Sequence, residues 1–336
     1  MTQLLLVPAA LLLVSAEAFA QAASCDKACL LDIADRYLAA MVAHAPAKAP
    51  LAPNVKFTEQ TVVMTPGEGL WKTATEVSKT FKIPVADPVA GQIGLIVMLT
   101  EAKAGEKGED RQAQLALRLK VQNRQITEAE HLIARITAPA QLAVLQTPRA
   151  PLLATVPPSD RSPRDVLLLI GNAYYDALTL SNGSIAPFAT DCGRRENGMH
   201  TAGVGRPAPL PGAPPRGGGP GGGPATGPQP AGDCAGQLDS RVMSYIRAID
   251  LRRVWIADEE KGLVFGLSMF RHPMDENPLQ IIYPDGSKGT RQMNFKPFDL
   301  PAAHIYKISG RQIHEIEAMG FTMPYLSKNG WSEYLR

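Results

Sequence analysis

The sequence predicts an α+β protein made of two tandem copies of one unit, each a helix packed on several antiparallel strands. Three observations carry that prediction. Residues 37–60 align without gaps on residues 174–197, an amphipathic helix leads into both segments, and the copies close on matching signatures, RQITEAE at 124–130 and RQIHEIE at 311–317. In this register Tyr37 pairs with Tyr174, Pro50 with Pro187, Leu51 with Phe188, Asn54 with Asp191 and Glu59 with Glu196. Self-similarity is weighed first because a repeat dictates the domain plan. The 336 residues also suit two domains at the usual ~150 residues each, and 45 % apolar residues are enough for two cores.

Taken in order, residues 3–16 form an apolar run too short to span a bilayer, and it leads into Ala18-Phe19-Ala20, the small-residue spacing a signal peptidase prefers. Residues 1–20 therefore read as a secretory signal, with lipid attachment at Cys25 as the alternative. The first helix shows in Leu30, Ile33, Tyr37, Leu38 and Met41, and its counterpart in Leu167, Ile170, Tyr174 and Leu178. Ser162, Pro163 and Asp165 supply a start for the second helix, the serine as cap and the proline in the first turn. Ala113, Leu115, Leu117, Leu119 and Val121 alternate with polar residues as a strand does, and Asn123-Arg124 and Ser309-Gly310 are the expected hairpin turns. A fainter echo relates residues 86–99 to 257–270. The plan is a first unit over 21–137, a linker with five prolines over 138–162, and a second unit over 163–336. A Gly/Pro-rich insert at 204–233 interrupts the second unit; its low apolar content predicts a disordered segment dispensable for the fold.

Composition excludes several functions. The formal charge of +2 becomes +3 without residues 1–20, because Glu17 is their only charge, and so small a balance points to neither nucleic acid nor an anionic membrane. No later run of eighteen apolar residues exists, so no membrane span is expected. There is no G-x-S-x-G elbow, no H-E-x-x-H helix and no P-loop; the glycines at 217–223 lack the Lys-Ser/Thr pair of a phosphate site. Export makes disulfides the natural use of four cysteines. Cys25 and Cys29 stand four apart at a helix start, and Cys192 and Cys234 bracket the insert, whereas this spacing is poor for zinc. The expectations are a secreted or periplasmic location, no metal and no cofactor; a homo-oligomer stays open.

The long first helix, the Pro-Leu-Ala connection in YLAAMVAHAPAKAPLAPNVKFTEQ, PGEGLWKTA at 66–74 and the ending HIYKISGRQIHEIEAMGFTMPYLSKNGW at 304–331 resemble the SnoaL-like superfamily. That group includes nuclear transport factor 2, scytalone dehydratase and ketosteroid isomerase; an uncharacterised family of exported bacterial and fungal two-domain proteins looks closer still. The resemblance covers the mature chain apart from the insert. It implies two cone-shaped units, each with a cavity walled by sheet and helix, used in many members for acid–base chemistry on apolar small molecules and in others only for binding. The Tyr/Asp/His arrangement that would identify the two named enzymes is not legible here.

Such a cavity needs a base and a donor for developing negative charge. The run Arg194-Arg195-Glu196-Asn197-Gly198-Met199-His200 packs cation, carboxylate, amide and imidazole beside Cys192, and alternation along one strand would send Arg194, Glu196 and His200 to one side. Glu196 or His200 is then the candidate base, Arg194 its anion-binding partner, and Asn197 and Tyr174 the residues that orient substrate; the plainer reading is a surface strand with an exposed ion pair. Glu59, the counterpart of Glu196, has no neighbouring arginine or histidine in sequence, which favours the second unit. His272 and Tyr306 are candidate wall residues, and Trp71 either lines the first cavity or packs in a hairpin. His44 reads as a helix-end residue, and Glu128, Glu130, Glu315 and Glu317 as a solvated strand face. The leading expectation is a cofactor-independent lyase or isomerase acting on a small, partly apolar molecule in the second unit. The alternatives are a non-catalytic module of two packed cones that binds a ligand or protein, and a carbohydrate-active lyase or hydrolase.

Overall fold

The structure, a computed structural model, describes residues 25–102, 110–203 and 232–332. The signal read at 1–20 lies outside the described residues, as does the insert up to residue 231.

The first half runs α1 (Lys27–Val42), β1 (Leu51–Glu59), β2 (Val62–Met64), α2 (Leu70–Thr73), β3 (Ala74–Asp87), β4 (Gln92–Glu101), β5 (Arg111–Gln122) and β6 (Gln125–Ile136). After α3 (Pro139–Val144) and α4 (Ala150–Leu153) come α5 (Arg164–Thr179), β7 (Phe188–Glu196), β8 (Met199–Gly203), α6 (Cys234–Asp239), β9 (Ala248–Asp258) and β10 (Leu263–His272). The chain continues with β11 (Leu279–Ile282), β12 (Lys288–Arg291), β13 (Phe298–Ser309), β14 (Gln312–Gly320) and β15 (Met323–Pro324). The first sheet has the order β2-β1-β6-β5-β4-β3 and the second β8-β7-β14-β13-β10-β9, with β15 on β13 and β11–β12 forming a separate ribbon. The sheets are mixed rather than antiparallel throughout, since β1 lies parallel to β6 and β7 parallel to β14. That pairing sets Glu59 opposite His131 and Glu196 opposite Ala318.

Each helix covers one face of its sheet through the apolar positions its spacing predicts: Leu30, Ile33, Tyr37, Leu38 and Met41 of α1, and Leu167, Ile170, Tyr174 and Leu178 of α5, are all buried. Asp26 caps α1 by accepting from the Cys29 N–H at 2.8 Å, and the Cys25–Cys29 disulfide closes the same turn. The expected cap of α5 is corrected. Ser162 is buried with no hydrogen-bond partner for its hydroxyl, and Glu259, from the β9–β10 turn, accepts from the Arg164 N–H at 2.7 Å instead. The hairpin turns are Asn123-Arg124, as expected, and Gly310-Arg311, one residue later than expected; each pair has two positive φ angles, the conformation a two-residue turn needs.

A third core lies between the sheets. Phe81, Ile83, Val85, Ile96, Met98 and Leu132 meet Ile256, Leu263, Phe265, Leu267 and Ile305, giving the layers helix, sheet, sheet, helix. Gly94 permits a close approach, because a Cβ there would run into the Phe265 ring. The linker segment is packed: Leu145, Leu152 and Val156 are buried. Arg149 from this segment pairs with Glu315 and, at 3.1 Å, with Glu317. In the first sheet Arg118 pairs with Glu128 and Glu130, and Arg253 of the second sheet reaches Glu130 at 2.5 Å. The expectation that these four glutamates are solvated is therefore overturned. Glu128, Glu130 and Glu317 are buried, and arginines brought by other segments make that tolerable.

Candidate functional site

The interior of the second half gathers the polar groups that matter. Arg194, on β7, is 5 % exposed. Its Nε donates to Thr201 Oγ1 at 2.8 Å, Nη1 to Tyr174 Oη at 3.0 Å and Nη2 to Gln237 Oε1 at 2.6 Å. All three acceptors are neutral, and among the described residues no carboxylate lies within ion-pair distance of this guanidinium. Burying a cation costs desolvation free energy that hydrogen bonds to neutral groups offset only in part. The Cys192–Cys234 disulfide ties β7 to the start of α6 and so brings Gln237 up to Arg194. Gln237 is itself fixed through Nε2 to the Thr201 carbonyl at 2.8 Å.

Tyr174 Oη accepts from Arg194, which leaves its own proton to donate elsewhere. Burial raises the Tyr174 pKa, and Arg194 offsets part of the rise, so the phenol is neutral at pH 7. Around it stand Tyr306, with ring centroids 5.4 Å apart, and His304 at 5.7 Å. Tyr175 Oη and His304 Nδ1 are 3.1 Å apart, and burial, followed by the charge of Arg194, lowers the His304 pKa to about 3. Glu196 is half-buried and close enough to influence the ionisation of Tyr174, Arg194 and Tyr245.

The predicted constellation is brought together in part. Arg194 donates to Tyr174, Tyr306 packs against Tyr174, and Glu196 acts electrostatically on Arg194 and Tyr174. The 194–200 run is not one strand, however; Asn197 and Gly198, both at positive φ, turn it into a hairpin between β7 and β8. His200 consequently pairs with Arg195 and bonds the Ala202 carbonyl at 2.9 Å rather than joining Arg194. Asn197 holds β14 in place by exchanging two hydrogen bonds with the Gly320 backbone. His272 is stacked on Phe298 at 4.1 Å, beside Tyr245 at 5.5 Å, and burial lowers its pKa to about 4. Sequence reading did not single out Thr201, Gln237, Met243, Tyr175 or His304. Gln237 and Met243 lie beyond the insert, and nothing local marks them as partners of β7.

A family model described as a domain of unknown function (DUF8021) matches residues 160–320, which takes in α5 to β14 and the whole Arg194 cluster. No curated protein matches the chain. Among solved structures, the crystal structure of AclR from Streptomyces galilaeus, assigned as a hydroxylase, shares 14 % identity over 40 % of this chain and 92 % of its own, with a TM-score of 0.27. A likeness of that size carries no argument about fold or chemistry.

The first half holds a different cluster at the matching place. Tyr37 Oη and His131 Nε2 are 2.9 Å apart, and His131 Nδ1 and Glu59 Oε2 are 3.2 Å apart. Glu59 thus does have a histidine beside it, supplied by the parallel β1–β6 pairing. The second half has Ala318 there, and Arg194 stands at the position of Phe57. Trp71 is buried edge-on against Tyr37 at 5.0 Å, and His44 Nδ1 meets the Trp71 carbonyl at 2.7 Å. Among the described residues, no set of three or more His, Cys, Asp or Glu side chains is gathered as metal ligands. Nor is any helix there long and apolar enough to cross a membrane.

Proposed function

We propose that the chain is a pair of SnoaL-like cones, exported by its apolar leader, whose second cone is a cofactor-independent lyase or isomerase for a small, partly apolar molecule. The shared strand order of the two sheets and the gapless repeat support the paired-cone reading, and the two disulfides support export. The observation that carries the function is the buried Arg194, which among the described residues has no carboxylate in ion-pair contact and donates to a tyrosine that keeps its own proton. Such a pair suits a substrate oxygen that becomes negative as a neighbouring C–H bond is broken. Tyr174 donates to that oxygen, Arg194 stabilises the charge through Tyr174, and Glu196 takes the proton. In a partly dry interior these electrostatic interactions are stronger than in water.

The test is hydrogen–deuterium exchange at the carbon next to the carbonyl in a panel of small cyclic ketones and β-hydroxy ketones, followed by NMR. Exchange by the parent that falls about 100-fold or more in Glu196→Gln, with unchanged melting, is the expected result. A panel that binds but never exchanges would leave the second reading, a binding module of two packed cones. The packed inter-sheet core and the first interior, filled by Leu70 and Trp71, favour that alternative.

A further inference from the structure

The guanidinium of Arg194 has one edge left after its three strong bonds. Nη1 and Nη2 each direct a second N–H at the same atom, Met243 Sδ, at 3.6 and 3.7 Å. That two-nitrogen fork is the edge that binds a carboxylate with two parallel hydrogen bonds. A thioether is a weak acceptor and a poor match for it. Met243 is half-buried and lies in the irregular stretch between α6 and β9, so its flexible side chain separates the fork from the surface. Tyr245 and the Arg291 guanidinium stand close by, and Arg291 also donates to the Val242 carbonyl at 3.2 Å. Among the described residues, Arg291 and Arg194 act on Tyr245 together with the one carboxylate of Glu196. Aromatic rings pack in this part of the interior, Tyr174 against Tyr306 at 5.4 Å between centroids and Tyr245 against His272 at 5.5 Å.

We infer that Met243 occupies a carboxylate-binding position, and that the natural ligand of the second unit is a small acid with a planar apolar body, whose carboxylate displaces the sulfur and bonds the Arg194 fork. This rests on the second unit being the site, and it adds the ligand class. Displacement is favourable because the anion replaces a weak acceptor with two charge-assisted bonds, while the methionine swings outward at little cost.

Isothermal titration with benzoate and its uncharged isostere benzamide tests it. Benzoate should bind at least about tenfold more tightly than benzamide. Met243→Ala should tighten benzoate several-fold, and Arg194→Lys, which keeps the charge without the fork, should weaken it by about tenfold or more. Methionine methyl NMR on the parent, with the Met243 resonance assigned through Met243→Leu, gives a readout free of folding defects in the arginine variant. That resonance should move with benzoate and stay put with benzamide. Equal binding of the two compounds, no benzoate binding at millimolar concentration, or a Met243 resonance indifferent to benzoate overturns the carboxylate assignment. Benzamide binding that depends on Arg194 overturns it too, while leaving the second unit as the site; the deuterium-exchange assay judges that reading independently.

Discussion

Single buried side chains set how this protein responds to acid. His272 is neutral in the fold, its pKa lowered to about 4 by burial, with the backbone of Phe298 and Phe270 opposing only part of that effect. In the unfolded chain the same imidazole takes a proton near pH 6.5. From there down to about pH 4, unfolding is favoured by proton uptake that the folded state refuses, at ~1.4 kcal/mol per pH unit. Stability that is complete above pH 6.5 is therefore lost as the pH falls. His272→Phe preserves the stack on Phe298 and removes the proton site. Thermal melts should show the variant close to the parent at pH 7.5 and more stable by roughly 3 kcal/mol near pH 4.5. Parallel pH profiles would mean that His272 takes up its proton while folded. At this scale the sequence was only partly informative. Tyr174 and Arg194 could be named because helical spacing and strand alternation aim them inward, whereas Met243 and Gln237 reach the site only through the disulfide and an irregular stretch without periodicity.

Among the elements, the linker is the one whose role differs most from its composition. Its prolines suggest a spacer, yet it straps the back of the second sheet, with Arg149 donating to Glu317 and to the Gly193 and Ile316 carbonyls. Glu317 is buried and its pKa is raised by that burial, with Arg149 holding the rise in check. Arg149→Met leaves the carboxylate without its main counter-ion and should cost ~3–5 kcal/mol in urea unfolding at pH 7.5. The loss should shrink at pH 5, because the folded state then relieves the unpaired charge by protonating Glu317. An equal loss at both pH values would point to lost packing rather than lost charge. The tail repeats the device on the first sheet. Trp331 is fully buried, donates from Nε1 to Thr58 Oγ1 at 2.8 Å and stacks under Arg118 at 4.6 Å. Helices and hairpins were legible because their periods are local. The straps were not, since their partners lie over 100 residues away, at Glu317 for Arg149 and Thr58 for Trp331.

Over the whole molecule, an α+β pattern of helices and strands was legible in the sequence, while the way the two mixed sheets meet was not. The residues that form the inter-sheet core, such as Ile83, Ile96, Phe265 and Ile305, are strand residues whose neighbours in sequence face the helices, so both faces of the central strands are apolar. Strands buried on both faces lose the clean alternation that would tell one face from the other. The arrangement also bears on whether the second half stands alone. A fragment of residues 163–336 keeps α5, β7–β15 and the Cys192–Cys234 bridge. It uncovers Ile256, Leu263, Phe265, Leu267, Ala303, Ile305 and Met319, and it strands Arg253 without Glu130. Burying an apolar face of this kind contributes ~25 cal/mol per Å², so the exposed sheet should find another partner. Sedimentation of the fragment should show a dimer or larger assembly, with Phe265→Lys returning it to monomer at the expense of stability. A monomeric fragment that melts like the intact chain would mean that the two sheets merely touch, and that each half folds on its own core.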